Sequence, residues 1–266
     1  LADLNPITAW KRLLALPNES RPKTLLVAFL TSVLCAALVT GATVVLRPIQ
    51  AANRAAEVQV RLEALLSAIP GMTQLLSANP DAAVSTVVVD LTTGRAARDI
   101  TPATLETALQ DTANWTPLKP EDDLADLGAR PDIAQVYVLR QGDQVRLLIL
   151  PVAGSGYNGP IEAMLAINGD MQTIAGLTVT RQAETPGLGA RIEEPAWQAS
   201  FAGTRFADDS GAMRFAVAKG PSASDYEVDG ITGATRTSNA VTRMVRFWLG
   251  PQGYGPLIEA VKRGEF

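Results

Sequence analysis

Histidine is absent from the 266 residues, and cysteine occurs once, at Cys35. An internal disulfide is therefore impossible. Zinc, haem and iron–sulfur centres take their ligands from His and Cys clusters, which this chain cannot supply by itself. Ser–His–Asp and Cys–His catalytic pairs are excluded for the same reason. Aromatic residues make up only 5% of the chain, and the formal net charge is −4. Neither stacking platforms nor attraction for phosphates is on offer, so nucleic acid is not an expected partner. Redox chemistry would have to come from a bound organic cofactor, or from a metal shared with another subunit.

What the chain does have is apolar substance, 47% of its residues, as expected of a globular protein with a membrane span. Thr24 to Leu46 is a run of 23 residues without a charge. At a rise of about 1.5 Å per residue it is long enough to cross a bilayer core. A signal peptide would have a shorter apolar region, about 7–15 residues, and a small-residue cleavage site. Here Arg47-Pro48 follows, so a retained anchor is expected. Lys11, Arg12, Arg21 and Lys23 precede the run, while Arg47, Arg54 and Arg61 follow it. That bias places the N-terminus inside. Residues 1–23 are then a cytoplasmic segment and 24–46 a single transmembrane helix, with the C-terminal domain outside, which in a Gram-negative cell is the periplasm. Cys35 falls within the span, as a small packing residue or as a contact for a neighbouring subunit or its metal.

Beyond the span, Ala55, Val58, Leu62, Leu65, Leu66 and Ile69 recur at steps of three and four. They predict an amphipathic linking helix over 47–70, ending at Pro70-Gly71. The domain proper is expected over 71–266. Val84–Leu91 reads as a strand, and Asn114–Pro131, rich in Pro and Asp, as a loop. Two hairpins follow. Ile133–Leu139 and Val145–Val152 flank Gln141-Gly142-Asp143, and Ile161–Ile167 and Thr173–Thr180 flank Asn168-Gly169-Asp170. A short strand at Met213–Ala218 and helices at Asn239–Leu249 and Pro256–Lys262 complete the reading. Strands with helices segregated to the ends predict an α+β domain.

The segment with the most chemistry is Asp229-Gly230-Ile231-Thr232-Gly233-Ala234-Thr235-Arg236-Thr237-Ser238, just before the first of those helices. Gly233 and Ala234 let backbone approach a bulky ligand, and Thr237 or Ser238 can cap the helix. A helix start favours phosphate, because its first N–H groups are unpaired and carry partial positive charge. Taken alone, the segment fits either a phosphate site beside a threonine hydroxyl or a capped turn of small polar residues.

Its pattern, Asp-x-x-(Ser/Thr)-Gly-Ala-Thr, resembles the flavinylation sequence of the FMN-binding domain family, in which the last Thr is joined through its oxygen to the FMN phosphate. Glu184-Thr185-Pro186-Gly187-Leu188-Gly189 resembles the same family's loop near the isoalloxazine ring. Trp197 follows at the family's spacing and is expected in the core. The resemblance implies covalent FMN on Thr235, with Thr232, Gly233, Ala234 and Thr237 shaping the phosphate loop. Glu184, Thr185, Leu188 and Tyr157 would border the ring. A free threonine hydroxyl is a poor nucleophile, in keeping with the family's use of a Mg2+-dependent flavin transferase that takes FMN from FAD. Asp229 holds the acidic position which that partner is expected to need.

Pro17–Ser20, Lys23–Leu25, Leu46–Gln50, Phe247–Gly250 and Gly253–Leu257 resemble the C subunits of the Na+-pumping NADH:quinone reductases. Gly156–Ile161 is more similar to the G subunits of Rnf ferredoxin:NAD+ oxidoreductases, which stand as the alternative. A membrane-anchored binding or scaffold domain without redox activity is the alternative of another class. The first resemblance implies an electron-carrying subunit that works among other subunits of a multi-subunit membrane reductase, not an enzyme on its own.

Overall fold

The structure is a computed structural model and describes residues 15, 17, 20–68 and 84–266. The chain divides into two compact units at Gln59/Val60. Helix α1 (Arg21–Ala68) runs for 48 residues, and the division falls within it. Its portion Lys23–Arg47, 25 residues of mean hydropathy 2.3, is long and apolar enough to cross a membrane. Thr31, Ser32 and Thr43 donate their hydroxyl protons to the carbonyls of Val27, Ala28 and Val39, each at 2.8 Å. Bonded to their own helix, these hydroxyls need no partner from outside, which suits a hydrocarbon setting. The expected linking helix is continuous with the span rather than a separate element. The side chains of Ala55, Val58, Leu62, Leu65, Leu66 and Ile69, and the expected end at Pro70-Gly71, lie outside the described residues.

The second unit is built on a six-stranded antiparallel sheet: β1 (Val84–Asp90), β2 (Arg95–Ala96), β5 (Ile133–Gln141), β6 (Gln144–Ser155), β7 (Pro160–Asn168) and β8 (Ile174–Arg181), in the order β2-β1-β5-β6-β7-β8. Strands β5 to β8 lie side by side in chain order because short turns join them. In the β7–β8 turn, glycine serves a different purpose from the one its Asn-Gly sequence suggests. Met171, not Gly169, takes the left-handed conformation, at φ 55°. Gly169 is needed because a Cβ there would collide with the Val145 carbonyl.

Both faces of the central strands are apolar. On one, Val136, Val138, Leu148, Leu150, Leu165 and Ile167 pack into the main core with helix α4 (Thr235–Leu249). On the other, Tyr137, Leu139, Leu147, Ile149, Met164 and Ala166 form a second cluster. This explains why Leu147–Leu150 is an unbroken apolar run rather than an alternating one. Trp248 on α4 donates its indole N–H to the Ala153 carbonyl at 2.6 Å, and Tyr254 donates its hydroxyl to the Pro151 carbonyl at 2.8 Å. Both bonds fix α4, and helix α5 (Gly255–Lys262) after it, on the sheet strand that leads into the site.

The α+β class, the first strand, both hairpins and both C-terminal helices agree with the sequence reading. Four local expectations need correction. The presumed loop Asn114–Pro131 contains a two-stranded ladder, β3 (Trp115–Pro117) with β4 (Ala129–Pro131). Strand Met213–Ala218 contracts to β9 (Ala216–Val217), paired in parallel with β10 (Glu227–Val228). Two short helices were not foreseen. Helix α2 (Pro102–Ala108) packs Leu105 against Val88 and Ile133, and α3 (Pro195–Ala199) carries Trp197 into the main core. Helix α4 starts at Thr235, not Asn239.

Candidate functional site

The early start of α4 determines where its threonines go. Ala234 occupies the N-cap position, at φ −123° and ψ 43°, and no side chain caps the helix. Thr235 is thus the first helical residue, and it is exposed. Thr237 and Ser238 do not cap, contrary to expectation. They lie within the first turn at 2% and 4% exposure. The Thr237 hydroxyl is drawn elsewhere, to a carboxylate.

That carboxylate is Glu184, only 5% exposed. Its Oε2 accepts from Thr237 Oγ1 at 2.6 Å, and its Oε1 accepts from the backbone N–H groups of Tyr157 at 2.6 Å and Asn158 at 3.2 Å. Three stretches of chain meet there: the β6–β7 connection, the segment after β8, and the start of α4. A buried carboxylate is tolerable when its lone pairs are filled in this way. Close backbone approach is built in. A Cβ at Gly156 would collide with Glu184 Oε1, and one at Gly189 would lie 2.5 Å from Thr237 Oγ1. Asn158 Nδ2 also donates to Thr185 Oγ1 at 2.8 Å, tying the first two stretches together.

These segments enclose a cavity of about 320 Å3, within the size range of small-molecule sites. Of the ten residues singled out from sequence, eight line its wall: Tyr157, Glu184, Thr185, Leu188, Gly233, Ala234, Thr235 and Thr237. Thr232 and Asp229 do not. Asp229 instead accepts from the Ser222 N–H at 2.7 Å through Oδ1, and from the Trp197 indole N–H at 2.8 Å through its backbone carbonyl. Trp197 is buried, as expected of a core residue. Gly233 has φ 79°, a left-handed conformation that glycine adopts without steric cost.

Two lining residues, Gly189 and Arg236, stand within the two motifs, but the sequence reading assigns them no role. The Arg236 guanidinium carbon lies 4.8 Å from the centre of the Tyr157 ring, within cation–π range. The contact joins residues 79 positions apart, which local pattern reading does not reach. A signal was nevertheless present, because Arg236 is the one cation inside the motif.

Chemically, the wall carries the hydroxyls of Thr185 and Thr235, with that of Thr237 committed to Glu184, together with one guanidinium, an exposed Leu188 side chain and the start of a helix. Such a wall suits a phosphate-bearing ligand with a flat apolar body. Among the described residues of the wall, no base is free to activate Thr235, since Glu184 is the only carboxylate among them and both its oxygens are occupied. FMN fits this donor set: a hydroxyl for its phosphate at a helix start, and an apolar and aromatic side for its ring.

A family model described as FMN-binding domain matches residues 156–250, the stretch that contains the whole wall. The C subunit of the Na(+)-translocating NADH-quinone reductase of Yersinia pestis is 35% identical over 258 residues, covering 93% of this chain and 95% of that protein. Its counterpart from Vibrio anguillarum is 34% identical over 253 residues, covering 93% and 97%. Among solved structures, Shewanella oneidensis NqrC aligns with a TM-score of 0.62 at 24% identity, over 72% of this chain and 88% of that one. The corresponding C subunit from Parabacteroides distasonis aligns with a TM-score of 0.55 at 24% identity, over 80% and 96%. These two likenesses show a shared fold.

Proposed function

Because the chain belongs to the C-subunit family of the Na+-translocating NADH-quinone reductases, we propose that it carries electrons within such a complex through FMN esterified by its phosphate to Thr235. The domain is an FMN-binding domain, and the relatives are subunits of a multi-subunit reductase. The observation that carries the finer reading is the position of Thr235, the exposed first residue of α4, on the wall of a cavity shared with the Glu184–Gly189 loop. When bound, the flavin supplies the one- and two-electron chemistry that this chain lacks.

The chain's own residues do the holding. Thr235 anchors the phosphate, with Thr232, Gly233 and Ala234 forming the approach to it. Glu184 holds Thr237 and the Tyr157-Asn158 backbone in place. Thr185, Leu188 and Tyr157 face the ring. Asp229, away from the wall, is available to the flavin transferase that this reading requires. Helix α1 anchors the protein in the inner membrane, with residues 1–23 in the cytoplasm and the domain in the periplasm. The Rnf-like segment Gly156–Ile161 is compatible with this assignment. Glu184 grips that loop by its backbone N–H groups, a contact that does not depend on which side chains stand at 157 and 158.

Mass spectrometry of the protein from native membranes tests the reading. The peptide containing Thr235 should carry one FMN, and Thr235→Val should abolish it; a label that survives that change rejects the site. On spheroplasts of the same cells, external protease should digest the domain and spare the N-terminal segment; the reverse pattern rejects the orientation.

A further inference from the structure

The cavity wall holds one carboxylate and one guanidinium, and the two are placed very differently. Glu184 is buried with both oxygens bonded inward. Its charge is spent on holding the wall together. Arg236 is exposed and forms no ion pair among the described residues. Its guanidinium lies over the Tyr157 ring, 4.8 Å away. Arg236 follows Thr235 directly in the first turn of α4. It reaches to the β6–β7 connection, where Asn158 is bonded to Thr185. The cation thereby contacts Tyr157, one of the residues assigned to the ring.

We infer that Arg236, held against the face of Tyr157, raises the reduction potential of the flavin by favouring its reduced, negatively charged form. The inference rests on the FMN reading of the site. Two electrons and one proton convert the oxidised ring to a reduced form with one additional negative charge. The electrons come from the neighbouring redox carriers of the reductase, or from an electrode in the test below. A cation at the edge of a partly enclosed cavity favours the product of that step over the starting ring. Arginine suits the task because its planar guanidinium stacks on an aromatic face and keeps its charge at any working pH. Tyr157 is a positioning residue: without its ring, an exposed arginine side chain is free to turn into solvent, where its field is screened.

The full-length protein, purified in detergent with its flavin attached, is titrated spectroelectrochemically. Arg236→Gln should reduce the preference for the reduced over the oxidised ring by about tenfold, a negative shift of about 30 mV for a two-electron couple. Arg236→Lys should restore part of the shift. Tyr157→Leu should move the potential in the same direction as Arg236→Gln, and it should move it less in the Arg236→Gln background than in the native one, because part of its effect passes through the guanidinium. Raising the salt concentration should bring the native protein toward the Arg236→Gln value. A potential unchanged in Arg236→Gln overturns the inference, as does weaker FMN loading without any shift, which would make Arg236 a phosphate anchor. Should Arg236→Gln fail to retain flavin, the Tyr157→Leu and Arg236→Lys potentials decide. A native protein with no flavin rejects the FMN reading itself, an outcome distinct from a flavin whose potential does not move.

Discussion

Thr237 donates its hydroxyl proton to Glu184 at 2.6 Å, across 53 residues of sequence and with both side chains buried. The bond locks the first turn of α4 to the segment after β8. The same carboxylate accepts from two backbone N–H groups of the β6–β7 connection. One side chain thus fastens three walls of the cavity.

Removing that fastener should be costly. Glu184→Ala strands the buried Thr237 hydroxyl and two half-buried backbone N–H groups, and a buried donor left unpaired costs on the order of 1–3 kcal/mol. Partial relaxation and water entry should bring the total to about 2–4 kcal/mol. Glu184→Gln keeps the shape but turns an amide toward one set of donors, for about half that loss. Urea unfolding of the two variants measures both. Flavin incorporation should fall in the same order, and an unaltered midpoint for Glu184→Ala would show that the carboxylate fastens nothing.

Two glycines of one loop should respond unequally to alanine. At Gly189 a new Cβ would lie 2.5 Å from Thr237 Oγ1 and 2.7 Å from Glu184 Oε2. The bond between them has to open, so flavin loading should drop severalfold. At Gly187 a new Cβ meets nothing within 4 Å, and only its φ of 74° opposes substitution. The expected cost there is about 1 kcal/mol, with loading preserved. Absorbance of the attached flavin per protein, compared between Gly189→Ala and Gly187→Ala, checks the contrast; equal loss in both refutes it.

Stability should fall at alkaline pH through Tyr254. Burial pushes its phenol well above the ordinary value of 10.0, so the folded protein keeps the proton that the unfolded chain releases. The stability associated with it is fully present below pH 10 and declines above, where the unfolded state binds fewer protons. The slope for one such group is about 1.4 kcal/mol per pH unit. Urea midpoints at pH 9 and pH 11 measure it. Tyr254→Phe should be less stable at pH 9, having lost the bond to the Pro151 carbonyl, and should show a flatter decline.

Much of the fold is legible in the sequence because its signals are local. The apolar runs around Gln141-Gly142-Asp143 and Asn168-Gly169-Asp170 each make a hairpin, and α4 follows the Gly-Ala-Thr motif. Two distant segments, Glu184–Gly189 and Gly233–Thr237, converge on one cavity. What stayed hidden depends on contacts that cross the chain. Thr237 looks like a cap, but Glu184 claims its hydroxyl. Arg236 looks like a solvated surface charge, but Tyr157 gives it a fixed place. Helix α2 is different, because its signal is local: Pro102 opens the helix, and the Thr101 N–H bonds to Thr104 Oγ1 at 3.0 Å. A Thr-Pro pair before a short apolar stretch is a start signal of its own, weaker than the periodicity of a long helix.

The three-way grip of Glu184 also bears on the order of events in folding. Its bonds span 27, 26 and 53 residues, and contacts so far apart in sequence are slow to close because chain entropy must be lost first. The β-hairpins can pair while the binding site does not yet exist. Capacity to hold FMN therefore belongs to the final stage of maturation. In a refolding experiment with the Thr235→Val protein, quenching of added FMN should lag behind the appearance of sheet structure, and that delay times the closure of the long-range contacts.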